Sequence, residues 1–347
     1  MYEFCIEKVN LNNQEDVLEV KKFLSFFSLD LDKNIDYTLV IRQGEEIKGT
    51  CSKSGNVLKC FAISNELRGE GLSEKLITAL NDKLFDEGIY HSFIFTKPEN
   101  IPIFTGLNYK LVEQVNKVAL LESGIYNIDK YLEKISQKYL LTEKKERASI
   151  VMNCNPFTLG HRYLIEQAAK ESEEVLIFIV QEEKSLFPFK VRYNLVREGV
   201  KDLKNVKVIE GGEYIISSAT FPTYFLREKN DILNAYTDLD SKIFLRYYCS
   251  KFNIVKRFVG EEPFCKVTEF YNKTLKENFK KFNKKLIIIE RKAEDGEKIS
   301  ASRVRELLKQ GRLKDTKNLL PMVTFKFLCS EEGKKIIEKI KDSNSLH

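Results

Sequence analysis

The sequence predicts an α/β protein with two domains, a mixed α/β domain followed by a doubly wound parallel sheet. Its 347 residues exceed twice the commonest domain size of about 100 to 150 residues. Up to residue 121, short strand-like runs surround amphipathic helices, whereas apolar strands and helices alternate regularly from residue 147 onward. Hydrophobic residues make up 43% of the chain and aromatic residues 11%, a composition that excludes an intrinsically disordered protein.

The chain start and the cysteines indicate the cellular compartment. No run approaches the roughly 18 consecutive apolar residues that a membrane span needs, and the first residues lack the basic and apolar regions of a signal peptide. The seven cysteines are odd in number and include no C-x-x-C pair, so neither a disulfide framework nor a structural zinc site is predicted. We therefore expect a cytoplasmic protein without membrane contact, whose cysteines are reduced and mostly buried.

The net charge of +6 is unevenly distributed along the chain. Residues 1–140 carry 17 Lys and Arg against 21 Asp and Glu, while the remainder carries 40 against 30. A basic half favours a polyanionic ligand, although a solvated lysine surface explains most of these charges. Because the lysines are dispersed and not clustered with aromatic residues, we expect a nucleotide and no nucleic acid.

The elements of the first domain follow from hydrophobic periodicity. A helix is predicted over 14–27, and antiparallel strands over 36–43, 46–53 and 56–64. A glycine-rich turn then opens a helix at residue 72, and a strand at 91–97, a short segment at 100–109 and a last strand at 109–122 complete the domain.

The glycine-rich turn is a candidate phosphate site. Glycines before a helix let backbone N–H groups approach a phosphate, although such turns are also common as plain helix caps. The run Arg68-Gly69-Glu70-Gly71-Leu72-Ser73 resembles the R-x-x-G-x-G/A loop of the GNAT acetyltransferase fold, with Ser73 where that fold has Gly or Ala. The resemblance implies that Arg68, Gly69, Gly71 and Ser73 bind the pyrophosphate of a coenzyme-A-like arm.

The domain boundaries follow from these patterns. Residues 1–125 form the GNAT-like domain, and residues 126–146 read as a connecting helix that ends in a charged run. Residues 147–347 form the second domain with C-terminal helices. Its strands are predicted within 147–154, 175–181, 206–211, 255–260 and 286–291, with helices between them and a last helix over 301–310.

Two motifs follow strands of the second domain. After the first strand stands Asn153-Cys154-Asn155-Pro156-Phe157-Thr158-Leu159-Gly160-His161, where Gly160 leaves room for phosphate at a helix start. Thr158 and His161, three residues apart, can converge on one oxygen cluster, and the imidazole can donate to an α-phosphate as charge develops there. After the last strand, Ser300 or Ser302 can cap a helix and Arg305 offers a bidentate fork for phosphate oxygens.

Together these motifs resemble the T/H-x-G-H and I-S-S-T-x-x-R signatures of the nucleotidyltransferase superfamily that includes the HIGH-motif tRNA synthetases. The resemblance implies a Rossmann-like nucleotidyltransferase domain with Thr158, His161 and Arg305 as catalytic residues. It also implies an ATP site whose further members come from both motifs and from the turn after the fourth strand: Asn153, Asn155, Pro156, Phe157, Gly160, Gly260, Glu261, Ser300 and Ser302. No Walker A sequence occurs, which disfavours a P-loop kinase.

A GNAT-like domain before this nucleotidyltransferase, together with runs such as VGEEPFCKVTEFYN and DGEKISASRVRELL, resembles the citrate lyase ligase family. That resemblance implies a ligase that uses ATP and Mg²⁺ to activate acetate as acetyl-AMP. The implied ligase then acetylates the thiol of the coenzyme-A-like prosthetic group on the acyl carrier subunit of citrate lyase. The alternatives are an adenylyltransferase acting on a phosphate monoester, such as phosphopantetheine or a nicotinamide nucleotide, and a non-catalytic carrier-binding module.

Three further features stay open at the level of sequence. Cys154 or Cys265 could carry a transient thioester, although inert packing or substrate contact is the simpler interpretation. Lys190 and Arg192 could reach the phosphates or lie on an exposed helix face. The Ser-, Thr- and aromatic-rich run at 217–226 either shapes an acyl or pantetheine channel or is an ordinary buried loop.

Overall fold

The computed structural model describes residues 4–32, 34–142, 144–182, 185–216, 221–222, 224–226, 229–261, 266–294 and 297–343. The chain divides into two compact units. The first comprises Met1–Tyr131 and Phe221–Leu239, and the second comprises Leu132–Thr220 and Asp240–His347. The segment Phe221–Leu239 lies within the predicted second domain by sequence but belongs to the first unit.

The first unit is built on a seven-stranded sheet in the order β1-β2-β3-β4-β5-β7-β6. The elements of this part of the chain are, in order, β1 (Cys5–Lys8), α1 (Gln14–Ser25), β2 (Tyr37–Gln43), β3 (Glu46–Ser54), β4 (Val57–Ile63), α2 (Leu72–Asp86), β5 (His91–Thr96), α3 (Ile101–Thr105), β6 (Lys110–Gln114), β7 (Ala119–Gly124) and α4 (Ile128–Tyr139). Neighbouring strands are antiparallel except for β4 and β5, which are parallel. The apolar stripe of α2 is buried in the core of this unit.

Two elements of this unit differ from the sequence-based expectation. Strand β1 was not predicted, because all four of its residues are exposed and give no hydrophobic signal. The single strand predicted over 109–122 is two strands, β6 and β7, which pair antiparallel around a tight turn closed by the Val115 N–H and the Val118 carbonyl. Polar Asn116 and Lys117 in that turn are the sequence signal for the interruption.

Strands β4 and β5 separate after two pairs of residues. They pair only at Val57 with Phe93 and at Leu58 with Ile94. Beyond that point β4 contains a bulge: Lys59 faces Ser52 and Ala62 faces Thr50, so β4 has one residue more than β3 between these pairs. Cys60 in the bulge has a φ of 53°, in the left-handed region. A bulge bends its strand, and here β4 leaves β5 towards the carboxyl ends of both strands.

The second half of the chain contains a five-stranded sheet in the order β10-β9-β8-β11-β12, with every pair parallel. Its elements are β8 (Arg147–Met152), α5 (Leu159–Lys170), β9 (Glu174–Ile179), α6 (Phe189–Gly199), β10 (Val206–Glu210), α7 (Lys229–Ile243), a π-helix (Phe244–Cys249), β11 (Ile254–Gly260), α8 (Lys266–Lys281), β12 (Lys285–Ile289), the short pair β13 (Ala293–Glu294) and β14 (Glu297–Lys298), α9 (Ala301–Lys309), α10 (Met322–Leu328) and α11 (Glu331–Asp342). The predicted doubly wound parallel sheet is confirmed.

Strands β8 and β9 of this sheet are buried in the core of the second unit. All six residues of β9 are buried, and apolar residues of β8, α5 and α6 pack in the same cluster. Such continuous burial arises when helices cover both faces of a parallel sheet. Among the described helices of the whole chain, none combines the length and the apolar character needed to cross a bilayer.

Candidate active site

The strand order of the second unit places two predicted motifs at one point of the sheet. The chain enters at β8, proceeds outward to β9 and β10, and later returns to β11 on the other side of β8. Ligands of doubly wound sheets bind outside the carboxyl ends of the strands at such a switch point. The loop of residues 153–158 follows β8, and Gly260 and Glu261 lie at the end of β11. The two predicted nucleotide contacts therefore flank the switch point.

Thr158 and His161 form a reciprocal cap at the start of α5. Thr158 is the N-cap residue, and its Oγ1 accepts from the His161 backbone N–H at 3.3 Å. In return, His161 Nδ1 accepts from the Thr158 backbone N–H at 3.1 Å and lies 3.0 Å from Thr158 Oγ1. The third helical position of such a capping box usually holds Glu or Gln. Here a histidine does the capping and keeps its second ring nitrogen, Nε2, for another partner.

The cap determines the protonation of His161. Because Nδ1 accepts the Thr158 N–H, the proton of the neutral imidazole is on Nε2. Burial of the ring, with the positive charges of Arg291 and Arg305, lowers the pKa of His161 to about 4. At neutral pH the residue is thus an uncharged donor held in one tautomer and one orientation.

Gly160 brings the two motifs together. A Cβ atom at this position would lie 2.9 Å from the carbonyl oxygen of Ile299, which directly precedes the N-cap of α9. Contacts this short between a Cβ and a backbone oxygen do not occur without movement of the chain. The glycine, expected from sequence to leave room for phosphate, therefore also lets the start of α5 lie against the start of α9.

The structure settles which serine caps α9. Ser300 is the N-cap residue, and its Oγ accepts from the Arg303 backbone N–H at 3.1 Å. Ser302 Oγ accepts from Arg305 Nη2 at 3.3 Å. Arg305 also donates through Nη1 to the Asn155 carbonyl, and burial lowers the pKa of its guanidinium. Arg305 thus ties α9 to the loop after β8, a structural task in addition to the phosphate contact expected of it.

The Asn153 side chain is held by a buried arginine. Its Oδ1 accepts from Arg192 Nη1 at 2.7 Å, and its Nδ2 donates to Ser185 Oγ at 3.0 Å. Arg192 is fully buried and donates to four backbone carbonyls, those of Asn153, Val180, Glu182 and Phe187. Arg192 therefore neither lies on an exposed helix face nor reaches out to a phosphate; it holds the loops after β8 and β9 together. Lys190, by contrast, is exposed.

The remainder of this loop is directed into the protein. Asn155 Oδ1 accepts from the Phe187 N–H at 3.1 Å, and the peptide bond to Pro156 is cis. Phe157 is fully buried in the core, packed so closely that a Cβ at Gly199 would lie 2.5 Å from its ring. The side chains of Asn155, Pro156 and Phe157 shape the loop, and contact of these residues with ATP stays a prediction.

Arg291 lies beside the predicted site residues, although the sequence did not single it out. It follows β12 at the same edge of the sheet, and its Nε donates to the Glu261 carbonyl at 2.8 Å. The Glu261 carboxylate in turn pairs with Lys298 at 3.2 Å, while Gly260 borders open space. The position of Arg291 at the carboxyl end of a predicted strand is the sequence signal that could have identified it. Arg291 adds positive charge close enough to lower the pKa of His161.

The predicted phosphate loop of the first unit is exposed and glycine-dependent. Gly69 and Gly71 have φ angles of 93° and 72°, and a Cβ on either would meet no atom within 4 Å. Gly71 is the N-cap residue of α2, Ser73 lies in its first turn, and Arg68 is exposed before it. N–H groups of a first helical turn have no partner within their helix, so this loop can offer them to an anion.

The cysteine hypothesis finds no support at Cys154. This residue is 1% exposed and packs in the core, and burial raises the pKa of its thiol. A buried thiol of raised pKa is a poor nucleophile. Cys265 lies outside the described residues, as do residues 217–220 and 223 of the aromatic run.

The sequence is similar to those of known proteins over most of its length. The family model for the citrate lyase ligase C-terminal domain matches residues 147–328. The [citrate [pro-3S]-lyase] ligase of Escherichia coli (strain K12) is 36% identical over 327 residues, which cover 92% of each chain. The ligase of Haemophilus influenzae is 36% identical and covers 91% of this chain and 96% of its own. An aminoglycoside 6'-N-acetyltransferase solved with coenzyme A matches 35% of this chain and 98% of its own, at 11% identity and a TM-score of 0.31. The chain belongs to the citrate lyase ligase family.

Proposed function

We propose that this chain is a [citrate (pro-3S)-lyase] ligase that activates acetate with ATP and acetylates the carrier thiol of citrate lyase. An acetate oxygen attacks the α-phosphorus, the bond to the β-phosphate breaks, and pyrophosphate leaves. The thiol of the coenzyme-A-like arm, having lost its proton, then attacks the carbonyl carbon of acetyl-AMP, and AMP leaves. Membership of the family supports the overall reaction, and the two motifs support the adenylate step.

One observation carries the adenylate step: two helix starts meet at the switch point of the sheet. Gly160 in α5 abuts Ile299 before α9, so the free N–H groups of both first turns belong to one small region. Partial positive charge at two helix N-termini, with Arg291 and Arg305 beside them, suits a triphosphate. Mg²⁺ would accompany the nucleotide through its phosphate oxygens, as it commonly does in such sites.

His161 contributes electrostatic stabilisation. Its Nε2–H is a neutral donor fixed by the cap with Thr158, so no reorganisation is needed when charge builds on the α-phosphate oxygens. Nucleotidyl transfer needs positioning and charge stabilisation and no covalent enzyme intermediate. This agrees with the burial and raised thiol pKa of Cys154.

The first unit is assigned to the acceptor. Adenylate formation does not require a second α/β unit, and the arm on the carrier contains a pyrophosphate. The loop of Arg68, Gly69, Gly71 and Ser73 has the exposure and the positive φ angles that close approach of a phosphate to backbone requires. Holding the arm there makes acetyl transfer effectively intramolecular.

Exchange of labelled pyrophosphate into ATP tests the proposal. We expect exchange that depends on acetate. Exchange that depends instead on a phosphate monoester would assign an adenylyltransferase, and no exchange with any acceptor would leave a carrier-binding module. A His161→Gln variant is the control for exchange that does not arise at this site.

A further inference from the structure

Two buried polar side chains of the second unit lie side by side on neighbouring strands. Arg257 on β11 is in register with Ser149 on β8, and the two residues are 3% and 0% exposed. Arg257 Nε, Arg257 Nη1 and Ser149 Oγ have no hydrogen-bond partner among the residues that the structure describes. Buried polar atoms are almost always hydrogen-bonded in native proteins, because leaving such a bond unmade costs free energy. Two neighbouring exceptions therefore indicate a polar ligand.

These side chains lie on the face of the sheet that α5 and α9 do not cover. Successive residues of a strand point to opposite faces, so Ser149 and Arg257 point away from the face of Ile150 and Phe258. Ile150 and Phe258 pack in one core cluster with apolar residues of α5 and α9. The proposed function assigns the phosphate groups of ATP to the first turns of those two helices. Arg257 and Ser149 are thus on the side of the sheet opposite to the proposed leaving group.

The Arg257 guanidinium is held by an aromatic ring and lies near a carboxylate. Its Cζ atom is 4.8 Å from the centre of the Phe244 ring, and this cation–π contact uses none of its N–H donors. Burial raises the pKa of Asp240, and the positive charge of Arg257 lowers it. The Asp240 oxygens already have partners: Oδ1 accepts from the Ile216 N–H at 3.1 Å, and Oδ2 accepts from the Tyr271 hydroxyl at 2.7 Å. Asp240 therefore balances the charge of Arg257 while the two donors stay available.

The surroundings of Asp240 belong to the carboxyl edge of the sheet. Ile216 lies in the segment that follows β10. Asn272, the residue after Tyr271, donates through Nδ2 to the Gly260 carbonyl at 3.4 Å, and Gly260 ends β11 at the switch point. The donors of this cluster thus lie towards the proposed nucleotide site. In-line displacement at the α-phosphorus needs the attacking oxygen on the side away from the leaving pyrophosphate, which is the side of Arg257.

The chemistry of the donors selects the class of ligand. A guanidinium and a hydroxyl can both donate to a carboxylate, whose two oxygens only accept hydrogen bonds. Because Asp240 lies beside Arg257, the cluster has little net positive charge. This balance favours a small monoanion such as acetate over the dianion of a phosphate monoester.

We infer that Arg257 and Ser149 form the acetate subsite, in which they hold one carboxylate oxygen and leave the other to attack the α-phosphorus. This inference rests on the proposed ligase reaction and adds the residues that bind and orient its carboxylate substrate. Asp240 is a positioning residue, because it acts on acetate only through Arg257.

Binding of acetate without turnover tests the subsite. Saturation-transfer NMR on the full chain detects the methyl protons of bound acetate, and α,β-methylene-ATP can be added because it cannot release pyrophosphate. We expect transfer to acetate in the wild type and its loss in Arg257→Gln, which has neither the charge nor the fork. Acetamide, which lacks the charge of acetate, should give no signal with either protein. Equal transfer to acetate in wild type and Arg257→Gln, or none in the wild type, would overturn the subsite.

Ser149→Ala separates contact with acetate from packing. Removing a buried hydroxyl that has no partner in the described chain should not lower the free energy of unfolding. KM for acetate in pyrophosphate exchange should nevertheless rise about three- to tenfold, as loss of one hydrogen bond predicts, while KM for ATP stays constant. The matched control is Thr324→Val, which removes a buried α10 hydroxyl that also lacks a partner among the described residues. This control should leave both constants unchanged.

Two results of the kinetic experiment would contradict the subsite. One is an unchanged KM for acetate in Ser149→Ala, and the other is an equal rise in Ser149→Ala and Thr324→Val. Acetate-dependent exchange by the wild type decides the ligase reaction separately. Exchange that is insensitive to both Arg257→Gln and Ser149→Ala would refute the subsite alone, whereas acetate binding through Arg257 without exchange would refute the ligase reaction alone.

Discussion

At the scale of single residues, His161 combines two tasks that capping boxes usually separate. Its Nδ1 completes the cap of α5, and the same hydrogen bond fixes the proton on Nε2. A glutamate would complete the cap but would bring negative charge to the region proposed to bind phosphate. The imidazole is therefore the side chain that both caps the start of α5 and presents a neutral donor.

Substitution can separate these tasks. His161→Gln retains a side chain that caps, whereas His161→Ala does not. We expect both variants to lose about 100-fold or more in acetate-dependent pyrophosphate exchange while ATP still binds, since the donor acts mainly in the transition state. Only the alanine variant should lose about 1 kcal/mol of unfolding free energy, measured in urea. Near-normal exchange in either folded variant would remove His161 from the mechanism.

The pKa of His161 makes a prediction about pH. The folded value of about 4 lies below the ordinary value of 6.5, so between these values the unfolded chain binds more protons. The contribution of the neutral His161 to the free energy of unfolding is fully present above about pH 6.5. It is lost as pH falls towards 4, by up to about 1.4 kcal/mol per pH unit. The difference in unfolding free energy between wild type and His161→Gln should change accordingly. Nitrogen-15 spectra should show the Nε2–H tautomer at pH 7, and a midpoint near 6.5 would contradict the environment described.

At the scale of elements, the site depends on two helix starts that touch. Gly160→Ala would drive a methyl group into the Ile299 carbonyl, and overpacking of this kind costs about 1 to 3 kcal/mol. We expect a lower melting temperature and a raised KM for ATP. Gly260→Ala is the control for stability, because a Cβ there meets no atom within 4 Å. Equal melting temperatures of the two variants would mean that α5 and α9 do not need this contact.

The Arg305 guanidinium connects α9 to the loop that precedes α5. Arg305→Lys cannot reproduce two directed N–H donors, so the loop at Asn155 and the grip on phosphate should both weaken. We expect KM for ATP to rise about tenfold or more and KM for acetate to change little. Arg312→Lys, at an exposed pair with Asp315, should leave both constants unchanged. A selective rise in KM for acetate would move Arg305 to the acyl site.

Periodicity predicted the parallel sheet and both motif-bearing helix starts because buried strands and their following turns leave local signals. It did not predict β1, whose residues are exposed, or the hairpin of β6 and β7, whose turn is short. The role of Arg192 depends on partners up to 39 residues away, and no local pattern encodes such contacts. The places of the two motifs in the fold were thus predictable, while the residues that hold those motifs in place were not.

At the scale of the whole molecule, the proposed function gives the two units separable tasks. The motifs assigned to adenylate formation all lie in the second unit, and the loop assigned to the acceptor lies in the first. A lesion in that loop should consequently impair acetyl transfer and spare adenylate formation. The positive φ of Gly71 determines which substitutions can show this cleanly.

Gly71→Asn is the preferred variant, because asparagine tolerates a φ of 72° better than other side chains while its added atoms obstruct a phosphate. Gly71→Val obstructs more but strains the backbone. We expect acetate-dependent pyrophosphate exchange to persist in both, and acetyl transfer to the carrier thiol to fall about tenfold or more, equivalent to about 1.4 kcal/mol of lost binding. Gly88→Asn is the matched control, a glycine with a φ of 75° and open surroundings just beyond the other end of α2, and it should retain both activities. Equal loss of both activities in Gly71→Asn would indicate a structural defect, and full retention of transfer would show that the loop has no part in holding the acceptor.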